Sequence, residues 1–269
     1  MAERVKLHVE DSGGSGRPVV LIHGWPLSGA AWEKQVGPLT DAGFRVITYD
    51  RRGFGQSEKP DSGFDYDTLA ADLEGILAER DLSDVTLVGF SMGGGEVARY
   101  VANHGEDRLA AVVFAAAIPP YMLKTPDNPA GPLAEEAAKE MESQLRADRD
   151  GFFDGFARAF FSVSDELKVS EEDLQKAIAL CRQSDQTAAL GCMQAFGTTD
   201  FRDDLERVTV PTLVIHGDSD SIVPIEGSGA LTHERIPGSR LVVLRGAPHG
   251  CTTSHPDTFN RALLDFLER

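Results

Sequence analysis

A chain of 269 residues, 41% of them hydrophobic, is long enough for one large domain with an insertion and a sizeable core. Its formal net charge of −17 argues against nucleic acid and anionic membranes as partners. The three cysteines, Cys181, Cys192 and Cys251, lack metal-ligand spacing, and with no N-terminal apolar stretch and no long apolar run they point to a soluble cytoplasmic protein.

Short apolar, β-branched runs predict strands over 5–9, 19–22, 45–49, 85–88, 109–114, 212–215 and 241–244. Helical patterns lie between them at 30–39, 66–80 and 94–103, and after them at 257–267. Strands alternating with helices imply a mostly parallel sheet covered on both faces, an α/β fold. From Ile118-Pro119-Pro120 to about Val208 no strand is convincing, and helix-like runs appear at 133–146, 151–161 and 170–182, the last opened by Ser170 and Asp173 as a capping box. This predicts core segments at 1–118 and 210–269 with a helical cap inserted at 119–209.

One segment carries chemistry more clearly than the others. The run Val85-Thr86-Leu87-Val88 leads into Gly89-Phe90-Ser91-Met92-Gly93 and a helix-compatible stretch, so a serine sits at the tip of a strand-turn-helix. Such a turn, often at positive φ, lifts the hydroxyl clear of its neighbours. Side chains at 89 and 93 would collide as strand and helix close. A serine nucleophile needs a base and an orienting acid, which follow it in this architecture in the order acid, then histidine. Asp218-Ser219-Asp220 follows the strand at 212–215, and His249 lies in a loop beyond the strand at 241–244.

Of the seven histidines, only His249 combines a strand-end loop with the right order relative to Ser91 and an acid. His8 reads as a surface strand residue, His23 as a brace for its loop and His104 as a helix-end residue. His216 reads as a packed strand residue, His233 as lying on a surface helix and His255 as opening the last helix. Asp218 and Asp220 both fit the acid role, and the residues alone do not choose between them. An oxyanion hole completes the site. One donor is the backbone N–H of Met92 at the start of the following helix, and the other is that of Trp25 in the loop after the strand at 19–22. The Trp25 ring can pack in the core at the same time. Cys251 is expected to be packed near the site without acting as a nucleophile.

Together these residues resemble the α/β-hydrolases, and more narrowly the cofactor-free (non-heme) haloperoxidase, aryl esterase and perhydrolase family. The matching segments are His23-Gly-Trp-Pro-Leu27, Tyr49-Asp-Arg-Arg-Gly-Phe-Gly-Gln-Ser57, Gly89-Phe-Ser-Met-Gly-Gly94, Ile215-His-Gly-Asp-Ser-Asp-Ser-Ile-Val-Pro224 and Ala247-Pro-His-Gly250. The resemblance implies an α/β-hydrolase fold with an inserted helical cap, makes Asp220 the acid and leaves Asp218 to the turn. It implies Trp25 and Met92 as oxyanion donors and a buttressing role for the loop of Arg51 and Arg52. The family commonly has an aromatic residue after Val-Pro in the acid loop where this chain has Ile225.

The expected activity is cleavage of small carboxylic esters through an acyl-enzyme, with no cofactor and no metal. Hydrogen peroxide in place of water would release a peracid able to oxidise halide. Lactonase or γ-lactamase activity on the same triad is the alternative, and a non-catalytic ligand-sensing module a more distant one. The expected partners are esters, hydrogen peroxide and short carboxylic acids, with a homo-oligomer left open. The phenylalanine-rich run at 151–161 would hold the cap on the core, and Phe153, Phe156 and Phe160, with Pro26, Ile222 and Ile225, are the expected pocket residues. Pro26 lacks an N–H and restrains the Trp25 peptide, whose carbonyl would accept a hydrogen bond from attacking peroxide. In the family, proline at this position goes with perhydrolase-type members.

Overall fold

A computed structural model describes residues 4–269 of the protein. The first half of the chain contains strands β1 (Val9–Asp11), β2 (Pro18–Ile22), β3 (Arg45–Tyr49), β4 (Val85–Phe90) and β5 (Leu109–Ala115). Helices α1 (Glu33–Asp41), α2 (Tyr66–Glu79) and α3 (Met92–His104) alternate with them from β2 onward. After β5 come α4 (Glu135–Ala147), α5 (Arg149–Phe160), the two-residue strands β6 (Ser162–Val163) and β7 (Glu166–Leu167), α6 (Glu171–Gln183), α7 (Gln186–Thr198) and α8 (Arg202–Leu205). The chain closes with β8 (Thr212–Gly217), α9 (Gly229–Arg235), β9 (Arg240–Leu244), α10 (Cys251–Ser254) and α11 (Pro256–Leu267).

The main sheet has the order β1-β3-β2-β4-β5-β8-β9. Strand β1 pairs antiparallel with β3, and every other pairing in this sheet is parallel. Every residue of β4 and of β8 is buried, as the near-continuous apolar runs of a sheet covered on both faces require. Helix α2 packs on α3, and α1 on α11. Ser91, Asp220 and His249 follow β4, β8 and β9, beyond the carboxyl ends of parallel strands, where open sheets of this kind gather their chemistry.

Three expectations need correction. The alternation Val5, Leu7, Val9 reads as a strand, yet the strand covers Val9–Asp11. The backbone just before it bonds to the loop after β3 instead: Lys6 accepts from Glu58 N–H, and His8 accepts from Asp50 N–H. His8 therefore lies ahead of the strand. Between β5 and β8, where no strand was expected, β6 and β7 form a short antiparallel hairpin. Helix α7 is an additional helix, capped by Asp185, whose carboxylate accepts from the N–H groups of Thr187 and Ala188. The other inserted helices start as the sequence suggests: Ser170 accepts from Asp173 N–H at 3.1 Å and donates to its carboxylate at 3.0 Å.

Helices α4 to α7 stay outside the sheet and pack on one another, α5 against α4 and α6, and α4 against α7. The Trp25 indole N–H ties them to the core by donating to the Ala189 carbonyl of α7 at 2.9 Å. Among the described residues no helix is long and apolar enough to cross a membrane.

Candidate active site

Strand β4 ends at Phe90 and α3 begins at Met92, so Ser91 alone makes the turn, with φ 54° and ψ −118°. A non-glycine residue there is strained by about 1–3 kcal/mol and persists because its surroundings fix it. Ser91 donates its N–H to Ala115 at 2.9 Å, while its carbonyl accepts from Gly94 at 3.0 Å and Ile118 at 3.2 Å. The flanking glycines are set by close approach: a Cβ on Gly89 would lie 2.4 Å from the Gly93 oxygen, and one on Gly93 would lie 2.6 Å from the Ile22 oxygen.

His249 Nε2 lies 2.9 Å from Ser91 Oγ, and His249 Nδ1 lies 2.6 Å from Asp220 Oδ2. An ionised carboxylate can only accept, so Nδ1–H donates to Asp220 and the Nε2 lone pair faces the serine O–H. The other carboxylate oxygen, Oδ1, accepts from Ile222 N–H at 3.0 Å and Val223 N–H at 2.8 Å. Burial opposes the charge on Asp220. The adjacent His249, its hydrogen bond and the nearby His216 ring outweigh burial and hold the carboxyl well below the usual carboxylate range. Asp218 is exposed and turned away, its Oδ1 accepting from Gly246 N–H at 2.6 Å.

Ser91 and His249 open onto a cavity of about 60 Å³ whose wall is otherwise apolar. The core contributes Trp25 and Ile118, the acid loop Ile222 and Val223, and the start of the inserted segment Met122. The inserted segment contributes Leu133, Met141 of α4, Phe156 of α5 and Phe196 of α7. Of the expected pocket residues, Phe156 and Ile222 line this space, and Phe153, Phe160, Ile225 and Pro26 do not. Phe153 is fully buried, with its ring 6.1 Å from the Trp25 indole, and Phe160 packs edge-on to the His249 imidazole at 4.9 Å. Ile225 opens a 3-10 turn, Ile225–Gly227. Pro26 follows Trp25 through a cis peptide bond and is buried in the turn in which Leu27 N–H donates to the Gly24 carbonyl.

The alpha/beta hydrolase fold family matches residues 17–251 of the chain. The protein belongs to the alpha/beta hydrolase family. It is 42% identical to a non-heme chloroperoxidase of Kitasatospora aureofaciens, over 95% of this chain and 94% of the other. It is 36% identical to a bifunctional esterase/perhydrolase of Acinetobacter calcoaceticus, over 98% of this chain and 96% of that one. The crystal structure of a bromoperoxidase from Bacillus anthracis is 50% identical and superposes with a TM-score of 0.97, covering 98% of this chain and 96% of its own.

In this alpha/beta hydrolase the two expected oxyanion donors sit on well-braced backbone. Met92 is the first residue of α3, where N–H groups have no intrahelical acceptor and the helix dipole is positive. Its carbonyl accepts from the buried Tyr66 hydroxyl at 3.1 Å, a support the sequence reading did not include. Trp25 follows His23 and Gly24, and His23 braces this loop as expected: its ring donates from Nδ1 to the Gly24 carbonyl at 2.8 Å and accepts at Nε2 from Arg51 N–H at 3.0 Å. Burial, then the Arg51 charge, holds the His23 imidazole well below its ordinary pKa range, so it stays neutral. The Arg51 guanidinium donates to the His23 carbonyl at 2.6 Å and pairs with Glu96 of α3. The Tyr49 hydroxyl donates to the same Glu96 carboxylate at 2.6 Å. Glu96 carried no signal in the sequence beyond being a charge early in a glycine-rich helix.

Proposed function

We propose that this alpha/beta hydrolase cleaves small, neutral carboxylic esters through an acyl-enzyme on Ser91, and that hydrogen peroxide can replace water as the acyl acceptor. The observation that carries this reading is the chain Ser91–His249–Asp220, with contacts of 2.9 Å and 2.6 Å, at an apolar cavity. His249 takes the Ser91 proton as Oγ attacks the ester carbonyl. The backbone N–H groups of Trp25 and Met92 stabilise the oxyanion, and His249 returns the proton to the leaving alkoxide. Asp220 holds the imidazole tautomer throughout. Water deprotonated by His249 then releases a carboxylic acid, whereas peroxide releases a peracid and restores the same serine.

The cavity supports a size and polarity for the acyl group. One water needs roughly 10–15 Å³ on this measure, so about 60 Å³ suits a short acyl chain. No lysine or arginine lines it, so a charged acyl group would lack a partner. Residues 119–209 act in this reading as a cap that closes the acyl site through Phe156 and Phe196. The relatives named chloroperoxidase and esterase/perhydrolase support the peroxide branch.

The test is turnover of p-nitrophenyl acetate, butyrate and octanoate by the purified chain, with peracid formation measured in parallel with and without peroxide. Preference for the short esters and peroxide-dependent peracid are expected. Failure to turn over any ester would overturn the hydrolase reading, and ester turnover without peracid would remove the peroxide branch.

A further inference from the structure

We infer that His216, which takes no part in the proton transfers above, is a positioning residue that holds the acid loop and aims Asp220 at His249. The inference rests on the reading of Ser91, His249 and Asp220 as a triad. His216 lies in β8, four residues before Asp220, and is fully buried. Its Nε2 is 2.8 Å from the Val223 carbonyl and 3.3 Å from Asp220 Oδ2. Both neighbours are acceptors, so the ring proton sits on Nε2, where it is donated to the Val223 carbonyl with Asp220 Oδ2 in electrostatic contact beside it.

The other side of the ring carries a cost. Nδ1 is buried and meets no hydrogen-bonding partner among the described residues, and an unpaired buried polar atom lowers stability. The backbone crowds that edge, since a Cβ on Gly229 would lie 2.5 Å from Nδ1. An apolar ring of similar size would fill the site without the orphaned nitrogen. What the imidazole supplies, and such a ring would not, is the Nε2–H.

That donor reaches both ends of one turn. Asp220 Oδ1 is already engaged by the N–H groups of Ile222 and Val223, which leaves Oδ2 for His249 and His216. Through Val223, His216 fixes the far end of the turn, and through Oδ2 it fixes the rotation of the carboxylate. Removing it orphans the Val223 carbonyl and leaves Oδ2 with His249 alone. The effect falls mainly on the orientation of His249 during proton transfer, since of the cavity wall His216 holds only Val223. Turnover should therefore fall by more than KM rises.

The experiment compares His216→Phe, His216→Gln, His216→Asn and Asp220→Asn in the purified full-length chain, using p-nitrophenyl acetate and recording thermal melting alongside. Phenylalanine keeps an aromatic ring, somewhat larger than the imidazole, without a donor. The glutamine amide N–H reaches the position of Nε2, and that of asparagine stops short of it. We expect His216→Phe to lower kcat about tenfold or more, short of the roughly 10⁴-fold expected when the acid itself is replaced, with KM within about twofold. His216→Gln should restore most of kcat and His216→Asn should not. A folded His216→Phe variant with wild-type kcat, or equal kcat in the Gln and Asn variants, would overturn the inference. If the Phe variant does not fold, the Gln and Asn pair decides. Wild-type turnover in Asp220→Asn would instead sink the triad reading beneath it.

Discussion

The carbonyl of Phe160, the last residue of α5, accepts a hydrogen bond from the N–H of Gly250 at 2.9 Å, joining the inserted helices to the loop that carries His249. The Phe160 ring stands edge-on to the imidazole at 4.9 Å, and the Phe90 ring lies 5.3 Å from the same imidazole. The proposed base is thus held between one aromatic ring of the core and one of the cap. Cap placement and base placement are a single packing problem.

Gly250→Ala tests this coupling. The new Cβ would lie 2.3 Å from the Phe161 ring and 2.7 Å from the Phe160 ring, so the end of α5 must move. Gly250 has φ −72°, outside the left-handed region that favours glycine, so the substitution acts mainly through this contact. Overpacking of this kind destabilises by about 1–3 kcal/mol. We expect a loss of that size in chemical denaturation, together with a fall in kcat for p-nitrophenyl acetate. Wild-type kcat in a destabilised variant would show that the cap end and the base are not coupled.

Ser91→Ala should reduce ester turnover on the order of 10⁶-fold and abolish labelling by serine-directed phosphonates. Alanine also removes no hydrogen bond that holds the turn, since those made by residue 91 there are to its backbone. The circular dichroism spectrum should be unchanged. Retention of more than a few per cent of the wild-type rate in contaminant-free enzyme would refute the nucleophile.

Ser91, His249 and an acid at Asp218 or Asp220 were legible because each is marked by its own strand-end segment and by chain order, which need no knowledge of packing; the choice of Asp220 came only from the family resemblance. Gly89 and Gly93 were legible for the same reason, since the close approach they permit is local to the turn. The cavity wall was not. Ile118, Met122, Leu133, Met141 and Phe196 come from separate segments whose meeting is a tertiary event. Helix α7 was missed because its small residues, with Gly191 and Gly197, show no apolar stripe of helical period, although Asp185 ahead of it was an available cap signal. The phenylalanine run of α5 had the right period, but which ring faces the substrate and which faces the core depends on the helix's rotation. His216 read as ordinary strand packing because the groups its Nε2 meets, the Val223 carbonyl and the Asp220 carboxylate, lie in a turn whose path is not legible in the sequence.

The two aspartates of the acid loop should separate cleanly. Asp220→Asn favours the wrong imidazole tautomer and should cost on the order of 10⁴ in turnover. Asp218→Asn touches the exposed links to Gly246 N–H and the Ser219 hydroxyl and should cost about 1 kcal/mol of stability or less, with turnover retained. Steady-state kinetics on variants matched for melting temperature check the ranking, and the reverse order would move the acid role to Asp218.

The brace behind Trp25 gives a pH dependence with a definite sign. The folded-state pKa of His23 is depressed, by burial first and by the Arg51 charge second. Below about pH 6.5 the unfolded chain binds a proton at this residue that the native chain does not, so stability falls as the pH falls, by up to about 1.4 kcal/mol per pH unit until the folded pKa is reached. His23→Gln removes this contribution. Urea denaturation of wild type and variant between pH 7.5 and 5 should show the steeper loss in the wild type. Parallel slopes would mean that His23 accepts a proton in the folded state as readily as in the unfolded one.

The buried pair behind the same loop should be more sensitive still. Burial pushes the Glu96 carboxyl above its ordinary range despite the Arg51 guanidinium beside it, so the pair persists because each partner answers the other. Glu96→Ala leaves Arg51 buried without its carboxylate, which typically destabilises by about 3–5 kcal/mol. The loss should appear in denaturant unfolding, and where the variant still folds, kcat should drop because Arg51 also anchors the His23 carbonyl ahead of the proposed oxyanion donor. A variant with unchanged stability would contradict the role assigned to the pair.

Pro26 offers the sharpest separation of the peroxide branch from plain hydrolysis. It is buried directly after Trp25 and is not part of the cavity wall, so replacing it alters the main chain beside the proposed oxyanion hole more than the proposed acyl pocket. Proline contributes no N–H and narrows the conformations open to the residue before it, which restrains the Trp25 carbonyl. A carbonyl held toward the acyl carbon accepts the second O–H of attacking peroxide, a contact a water molecule attacking from the same position has no O–H placed to make. Pro26→Leu should lower the ratio of perhydrolysis to hydrolysis several-fold, a difference of about 1 kcal/mol between two transition states. The ratio is read from peracid formed from acetate esters with peroxide against p-nitrophenyl acetate hydrolysis on the same preparation, so a general loss of activity cancels. An unchanged ratio would leave Pro26 a loop-stiffening residue and make a carboxylesterase without a peroxide preference the better description.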